Sequence, residues 1–450
     1  MSFPKILILG QTFNKKEGGG VTMSNLFKGW PKDKIAVASN ANLSKDLDSS
    51  VCEIYYQLGY NSKLHPFPLN IILPKIKCGL LRISNEYQKE ATHENTSKSG
   101  KYKSVYQRVV KLLDFLGLYN IFYNLIPTPD FENWLKQYDP DIIYTQLASL
   151  ELIRFTDKIQ EITKKPVVIH MMDDWPSTIS NTGLFKNTWH RIIDKELRSL
   201  IGKAALLLSI SDTMAREYQE RYRKKFTTFH NPIEIEFWKS YQRSDYKLPE
   251  KPVVLYAGRI GKGINKSLET MALAIVEVNK TMNTNLKFVI QSPEKPDWLK
   301  NYAFVTYKTP VAYTELPLVF AEADLLYLPY DFSDESIRFI KYSMPTKAPE
   351  YMVSGTPIIM FAPKETELVL NAEKGNWAKL VTENKIADLS AAIMDLLANE
   401  EVRKKIAVNA ISIAEASYNS VMVRTRFRET ISLTHSKKAL HSQSNEIAEN

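Results

Sequence analysis

Apolar residues occur along the chain in short continuous blocks rather than in strict alternation with polar ones. KILIL (5–9), KIAVAS (34–39), DIIYT (141–145), PVVIH (166–170) and ALLLSI (205–210) are the clearest in the first half. Blocks of this length read as strands covered on both faces, as in a parallel sheet. Longer stretches of helical character, such as 149–161 and 189–202, separate them. This order predicts βαβ units in a doubly wound sheet.

The rhythm then restarts. YKLPEKP (246–252) is a proline-flanked polar break that reads as a linker. PVVLYAG (252–258), LKFVIQ (286–291), DLLYLPY (324–330) and TPIIMF (356–361) follow, alternating with helices such as 266–279. The pattern predicts two Rossmann-like domains, 1–245 and 246–420, then a C-terminal helix end and polar tail over 421–450. From about 436 onward the tail is expected to be disordered. A length of 450 residues agrees with two domains, because one core stops growing at a smaller size.

Residues 60 to about 125 interrupt the alternation with prolines, aromatics and lysines. Within them KSGKYKSVYQRVVK (98–111) carries five positive residues and no acid. Val105, Val109, Leu112, Leu113 and Leu116 recur there at helical spacing. Two readings stand: a solvated helix packed on its own domain, or a basic amphipathic element that meets anionic lipid.

Composition narrows the class. The hydrophobic share of 44% and charged share of 24% are those of a globular protein. Two cysteines, Cys52 and Cys78, cannot form a disulfide scaffold at this length, and they favour a reducing cytoplasm. No apolar run is long enough for a signal sequence or a membrane span. The net charge of +9 favours anionic partners without selecting phosphate, membrane or nucleic acid.

Candidate chemistry gathers just beyond strand carboxyl ends, where open parallel sheets bind ligands. Arg259 follows PVVLYAG and opens the basic loop IGKGINK, placing Lys262 and Lys266 near a helix start. These cations suit a diphosphate. The loop completes neither GxxxxGK[ST] nor GxGxxG. In SMPTKAPEYMVSGTPII, Pro345 or Pro349 can start a helix, so Ser343, Met344 and Thr346 would offer amides, and Ser343 and Thr346 hydroxyls, to an anion. Glu350, one turn further in, can accept bonds from the diol of a ribose, although a dipole-compensating glutamate is the plainer reading. Gly18, Gly19 and Gly20 precede a helix and permit close approach of backbone. His170 ends PVVIH beside Asp173, Asp174 and Trp175. No spacing of ligands marks a metal site, and Asp139-Pro140-Asp141 reads as strand punctuation.

Taken in order, GGGVTMSNL, PVVIH, LLLSISD, FHNPIE, YAGRIGKGINKSLE and SMPTKAPEYMVSGTPII resemble retaining glycosyltransferases of the GT-B fold, particularly glycosyltransferase family four. The resemblance implies two Rossmann-like doubly wound domains facing a central cleft, the second binding a nucleotide sugar and the first the acceptor. It implies that Arg259 and Lys266 neutralise the donor diphosphate and that Glu350 holds the ribose. Gly19 and Gly20 would approach phosphate or acceptor, and His170 would contact the transferred sugar. Ser211 and Asn231 match positions lining the cleft.

Two departures accompany it. The family often carries an earlier glutamate eight residues before Glu350; here Tyr342 stands at that position, with Ser343 or Lys347 as partial substitutes. The interval from Arg259 to Lys266 is long, which leaves Lys262 as a rival for the same task. The expected reaction is metal-independent transfer from a nucleotide-diphosphate sugar with retention, without a cofactor. The expected setting is surface-polysaccharide synthesis on a glycan or lipid-linked acceptor, in the cytoplasm or at the inner face of the membrane. Competing readings are a nucleotide-sugar epimerase of the same fold, a non-catalytic nucleotide-sugar-binding protein, and, from charge alone, a nucleic-acid-binding protein.

Overall fold

In the computed structural model of the protein, residues 3–14, 18–41, 43, 47–63, 76–83, 100–122, 124–178, 183–261 and 263–448 are described, without the side chains of 100–107, 122 and 437–448. The chain forms two compact units. One comprises Met1–Phe229 with Arg424–Asn450, and the other comprises His230–Val423.

The first unit is built on strands β1 (Ile6–Leu9), β2 (Ile35–Ser39), β3 (Ile54–Gln57), β4 (Gly79–Arg82), β5 (Ile142–Thr145), β6 (Val167–Met171), β7 (Leu206–Ser209) and β8 (Thr227–Thr228). They pair in the order β4-β3-β2-β1-β5-β6-β7-β8. Every pairing is parallel except β3 with β4, which is antiparallel. Ile6 is in register with Ile35 on one side and Ile142 on the other, so the strand order reverses at β1.

In the second unit, β9 (Val253–Ala257), β10 (Lys287–Gln291), β11 (Val305–Lys308), β12 (Leu325–Pro329), β13 (Ile358–Phe361) and β14 (Lys379–Val381) pair in the order β11-β10-β9-β12-β13-β14. All of these pairings are parallel. Here the order reverses at β9. Alternate residues of one strand enter separate cores: Leu326 and Leu328 pack with Trp238, Phe320 and Tyr351, whereas Leu325 and Tyr327 pack with Leu268, Met271 and Ile393. Burial on both faces is why the strands appear in the sequence as unbroken apolar blocks.

The unit boundary falls at His230, ahead of the break at 246–252 that the sequence suggested. Ile233, Ile235 and Trp238 are the reason, since all three are buried in a core of the second unit. The chain rejoins the first unit at Arg424, within the helix Ser420–Ala448. Phe427 is fully buried there, edge-on to Phe27 and Phe229, and Arg424 donates to the Asn25 carbonyl at 2.7 Å. The helix continues to Ala448, where the sequence suggested disorder.

The basic stretch forms the helix Gly100–Phe115, but its described apolar positions do not share one buried face. Val109, Val110 and Leu113 pack with Tyr60 and Tyr119, while Leu112 is 56% exposed. Among the described residues, no helix is long and apolar enough to cross a membrane.

Candidate active site

Strand order reverses at β9, and in open parallel sheets ligands bind beyond the carboxyl ends of the strands at such a point. One helix brings Lys347 and Glu350 to this strand end. Tyr351 fixes the helix Lys347–Ser354 to the strand, because its hydroxyl accepts from the Ala257 amide at 2.8 Å and donates to the Ala257 carbonyl at 3.2 Å. This docking brings Lys347 against Gly258. A β-carbon placed on Gly258 would meet Lys347 Nζ at 3.0 Å, so the absent side chain makes room for the ammonium. Lys347 Nζ also lies 4.1 Å from the centroid of the Tyr256 ring, a cation–π distance.

Glu350 stands one turn beyond Lys347, on the same helix face. Burial lowers the Lys347 pKa to about 7, and the Glu350 carboxylate opposes that change. Burial raises Glu350 to about 7, opposed by Lys347 and by a hydrogen bond from Tyr313. Tyr313 stacks on Phe237 at 5.6 Å, in a turn held by a bond from the Ala312 amide to Glu315 Oε2. A base and an acid with displaced pKa values, on one helix at a strand end, fit a binding or catalytic site.

The basic loop follows β9 directly. Arg259 is exposed, and its carbonyl accepts from the buried Tyr256 hydroxyl at 2.5 Å. Glu294 holds the next residue, accepting from the Ile260 amide at 3.2 Å. Lys266 is exposed in the first turn of the helix Asn265–Met282. An amide at this helix start is already engaged: Asp331 Oδ1 accepts from the Ser267 amide at 2.8 Å, while the Asp331 amide donates to Gly263 at 2.7 Å. Lys262 lies outside the described residues.

Neither proline opens the helix that bears Glu350. Its cap is Thr346, with Pro345 before the cap and Pro349 inside the first turn. The Thr346 hydroxyl makes no capping bond. Ser343 donates its amide to the Ile340 carbonyl at 3.0 Å, which removes that amide from the set offered to an anion. Asn231 donates to the Thr346 carbonyl at 3.5 Å and so braces the same corner.

In the first unit the glycines lie inside the helix Gly18–Phe27 rather than before it. A β-carbon on Gly20 would meet Asn14 Nδ2 at 2.0 Å, and one on Gly19 would meet Gln146 Oε1 at 2.9 Å. Gln146, from the loop after β5, thus closes on the helix start at the point where this sheet's order also reverses. His170 lies within β6, not beyond it, and has no exposed surface. Its Nδ1 is 2.6 Å from the Tyr144 hydroxyl, and Tyr144 is hydrogen-bonded in turn to Gln146. Ser211 is a helix cap, accepting from the Met214 amide at 3.1 Å. Asp174 is buried in a bond to Arg221 at 2.8 Å, a structural pairing. Among the described residues, no group of three or more His, Cys, Asp or Glu could hold a metal ion.

Tyr256, Tyr313, Asp331, Glu294 and Gln146 belong to no motif visible in the sequence. All five lie in or beside strand-end loops, and each has a contact to a segment far along the chain, which for Tyr256 is the Lys347 ammonium over its ring. The one available signal was position relative to the strands.

Two parallel-dominated sheets with interleaved helices define the GT-B fold. Solved structures agree over the whole length. The Anabaena protein HepE, in complex with UDP and glucose, matches with a TM-score of 0.57 at 14% identity, covering 95% of this chain and 99% of that one. Sucrose-phosphate synthase from Thermosynechococcus elongatus matches with a TM-score of 0.62 at 13% identity, covering 96% and 100%. WaaG, a glycosyltransferase involved in lipopolysaccharide biosynthesis, matches at 0.54 and 12%, covering 94% and 98%. Residues 251–399 match the family model "Glycosyl transferases group 1", and residues 85–237 match "Glycosyltransferase Family 4". Fold and family matches together mark the chain as a GT-B glycosyltransferase of the family-four type. No curated protein shows significant sequence similarity to it.

Proposed function

We propose that the protein transfers a sugar from a nucleotide-diphosphate sugar to an acceptor with retention of configuration, without a metal or cofactor. The convergence of Lys347 and Glu350 with Gly258 at the carboxyl end of β9 carries this reading. Lys347, with Arg259 and Lys266 from the neighbouring loop and helix, meets the donor diphosphate. Glu350, steadied by Tyr313, accepts hydrogen bonds from the ribose. Thr346 faces the same anion; Ser343 stands aside, its amide and hydroxyl donating to the Ile340 and Phe339 carbonyls. UDP in the crystal structure of HepE makes uridine the first base to test.

As the bond from the anomeric carbon to the diphosphate breaks, negative charge grows on the departing oxygen. Fixed cations stabilise that charge by several kcal/mol in a dry site. The acceptor oxygen bonds to the anomeric carbon on the face the diphosphate leaves, and its proton passes to the leaving phosphate. The first unit supplies acceptor contacts through Gly19, Gly20 and Gln146. His170 acts as a positioning residue, holding Tyr144 and through it Gln146, in place of a direct sugar contact. The acceptor is a glycan or lipid-linked saccharide of surface-polysaccharide synthesis, met at the inner face of the membrane.

Thermal unfolding with uridine, guanosine, adenosine and cytidine diphosphates, for wild type and Glu350→Ala, tests the donor site. A ligand at a hundred times its dissociation constant stabilises the native state by about 2.7 kcal/mol. One nucleotide should shift the wild type and leave the variant unmoved; no shift with any of them removes the donor site. Nucleotide release that depends on added acceptor separates a transferase from a binding protein. Inversion at a sugar ring carbon without transfer would instead show an epimerase. Proton NMR of the product's anomeric coupling tests retention.

A further inference from the structure

The exposed face of the helix Gly100–Phe115 changes character along its length. Arg108, Lys111, Leu112 and Phe115 are all exposed, and their spacing of three, one and three places them on one side. The opposite side, through Val109, Val110 and Leu113, packs with Tyr60 and Tyr119. Two cations are therefore followed by two apolar side chains facing away from the protein, 56% exposed at Leu112 and 52% at Phe115.

A second segment extends this apolar end. The Leu184 amide donates to the Phe115 carbonyl at 2.9 Å, and a β-carbon on Gly117 would meet the Phe185 ring at 3.0 Å. Trp189 Nε1 donates to the Gly117 carbonyl at 2.8 Å, which fixes the two segments together. Leu184 is 65% exposed and Phe185 54%, and the exposed Lys186 follows them directly. Four large apolar side chains thus stand out from two joined segments, with Arg108, Lys111 and Lys186 at their margin and no carboxylate among the seven.

We propose that this face is a docking surface for an anionic lipid bilayer, with Leu112, Phe115, Leu184 and Phe185 entering the acyl boundary and Arg108, Lys111 and Lys186 engaging acidic headgroups. Helices lying in a membrane interface combine apolar insertion with cationic contacts in this manner. An apolar patch of this kind with a charged rim marks an interaction surface. The three cations select an anionic lipid surface rather than a neutral apolar partner. The inference rests on the proposed use of an acceptor at the membrane face and supplies the residues that would bring the enzyme there.

Flotation of the purified full-length protein with vesicles tests it. Vesicles of phosphatidylcholine with phosphatidylglycerol should carry the wild type, and vesicles of phosphatidylcholine alone should not. Lys111→Gln should weaken partitioning about fivefold, the effect of one cation at an anionic surface. Leu112→Asp with Leu184→Asp should weaken it roughly a hundredfold or more, since both apolar insertions are lost. Unchanged nucleotide-induced thermal shifts would show that the variants remain folded with an intact donor site. Flotation of the double variant equal to wild type overturns the proposal, as does a wild type that ignores anionic vesicles. A wild-type dimer that the double variant converts to monomer, without flotation, would assign the face to self-association and overturn it as well. A wild type that shifts with a nucleotide yet never floats loses this surface and keeps the donor site; the reverse result loses the donor site alone.

Discussion

Lys347 and Glu350 lie one helical turn apart, and burial displaces their pKa values from opposite sides, each to about 7. For Glu350 the folded value is raised, so its contribution to stability is complete below the ordinary carboxylate range and is lost as pH rises through about 7. Glu350→Gln removes that loss. The melting temperature of the variant relative to wild type should therefore climb between about pH 5 and pH 8; a flat difference would show that the carboxylate is not desolvated. For Lys347 the folded value is lowered, so its contribution is present above the ordinary lysine range and is lost as pH falls through about 7. In the free protein at about pH 8.5 the amine is thus mostly neutral, and a bound diphosphate recharges it. Calorimetric titration of a nucleoside diphosphate in buffers of different ionisation enthalpy should show uptake of up to about one proton at that pH. The uptake should be absent in Lys347→Met. Both residue types were visible in SMPTKAPEYMVSGTPII, but their mutual displacement needs the surrounding burial, which no spacing of residues reveals.

At the scale of the element, the helix Lys347–Ser354 acts as a platform whose placement depends on Tyr351. Replacing Tyr351 with phenylalanine keeps the ring in its core but leaves the Ala257 amide without its partner. An unsatisfied buried donor of this kind costs about 1–3 kcal/mol, which urea denaturation should register. The shift with nucleotide should also shrink, because the platform is released from β9. An unchanged denaturation midpoint would mean that the bond between Tyr351 and Ala257 contributes nothing. All nine strands read from apolar blocks are present in the structure. Of the others, β8 and β14 have only two and three residues, too few to show a pattern; β3 (IYYQ) and β11 (VTYK) mix polar residues into the run, and β4 runs antiparallel within the irregular region. The helix Gly100–Phe115 was legible as amphipathic, yet its apolar residues divide between a buried side and an exposed one. Periodicity cannot make that division.

For the whole molecule, the C-terminal helix completes a core begun some four hundred residues earlier. Phe427 meets Phe27, Tyr144 and Phe229 within the first unit. Phe427→Ala should destabilise that unit by about 3–5 kcal/mol, the usual cost of emptying a buried aromatic position. A transition that splits in two on thermal unfolding, with the earlier component moved by the mutation, would assign the loss to the first unit. A change below about 1 kcal/mol would contradict complete burial of the ring. The chain's return to the first unit left no mark in the sequence. Its polar end looked dispensable, and the contacts that hold Phe427 span nearly the full chain length.

Two doubly wound sheets, and the alternation that builds them, were determined by the sequence alone, because burial on both faces of a strand demands a continuous apolar block. The basic loop and the Lys347–Glu350 segment could also be recognised there, since residue type and distance from a strand end are local properties. Tertiary structure decided which of those residues meet, that Asp331 takes an amide at the helix start, that His170 is sealed inside β6, and where one unit yields to the next. Each of these depends on hydrogen bonds or packing between segments distant along the chain, and a linear pattern carries no record of such distances.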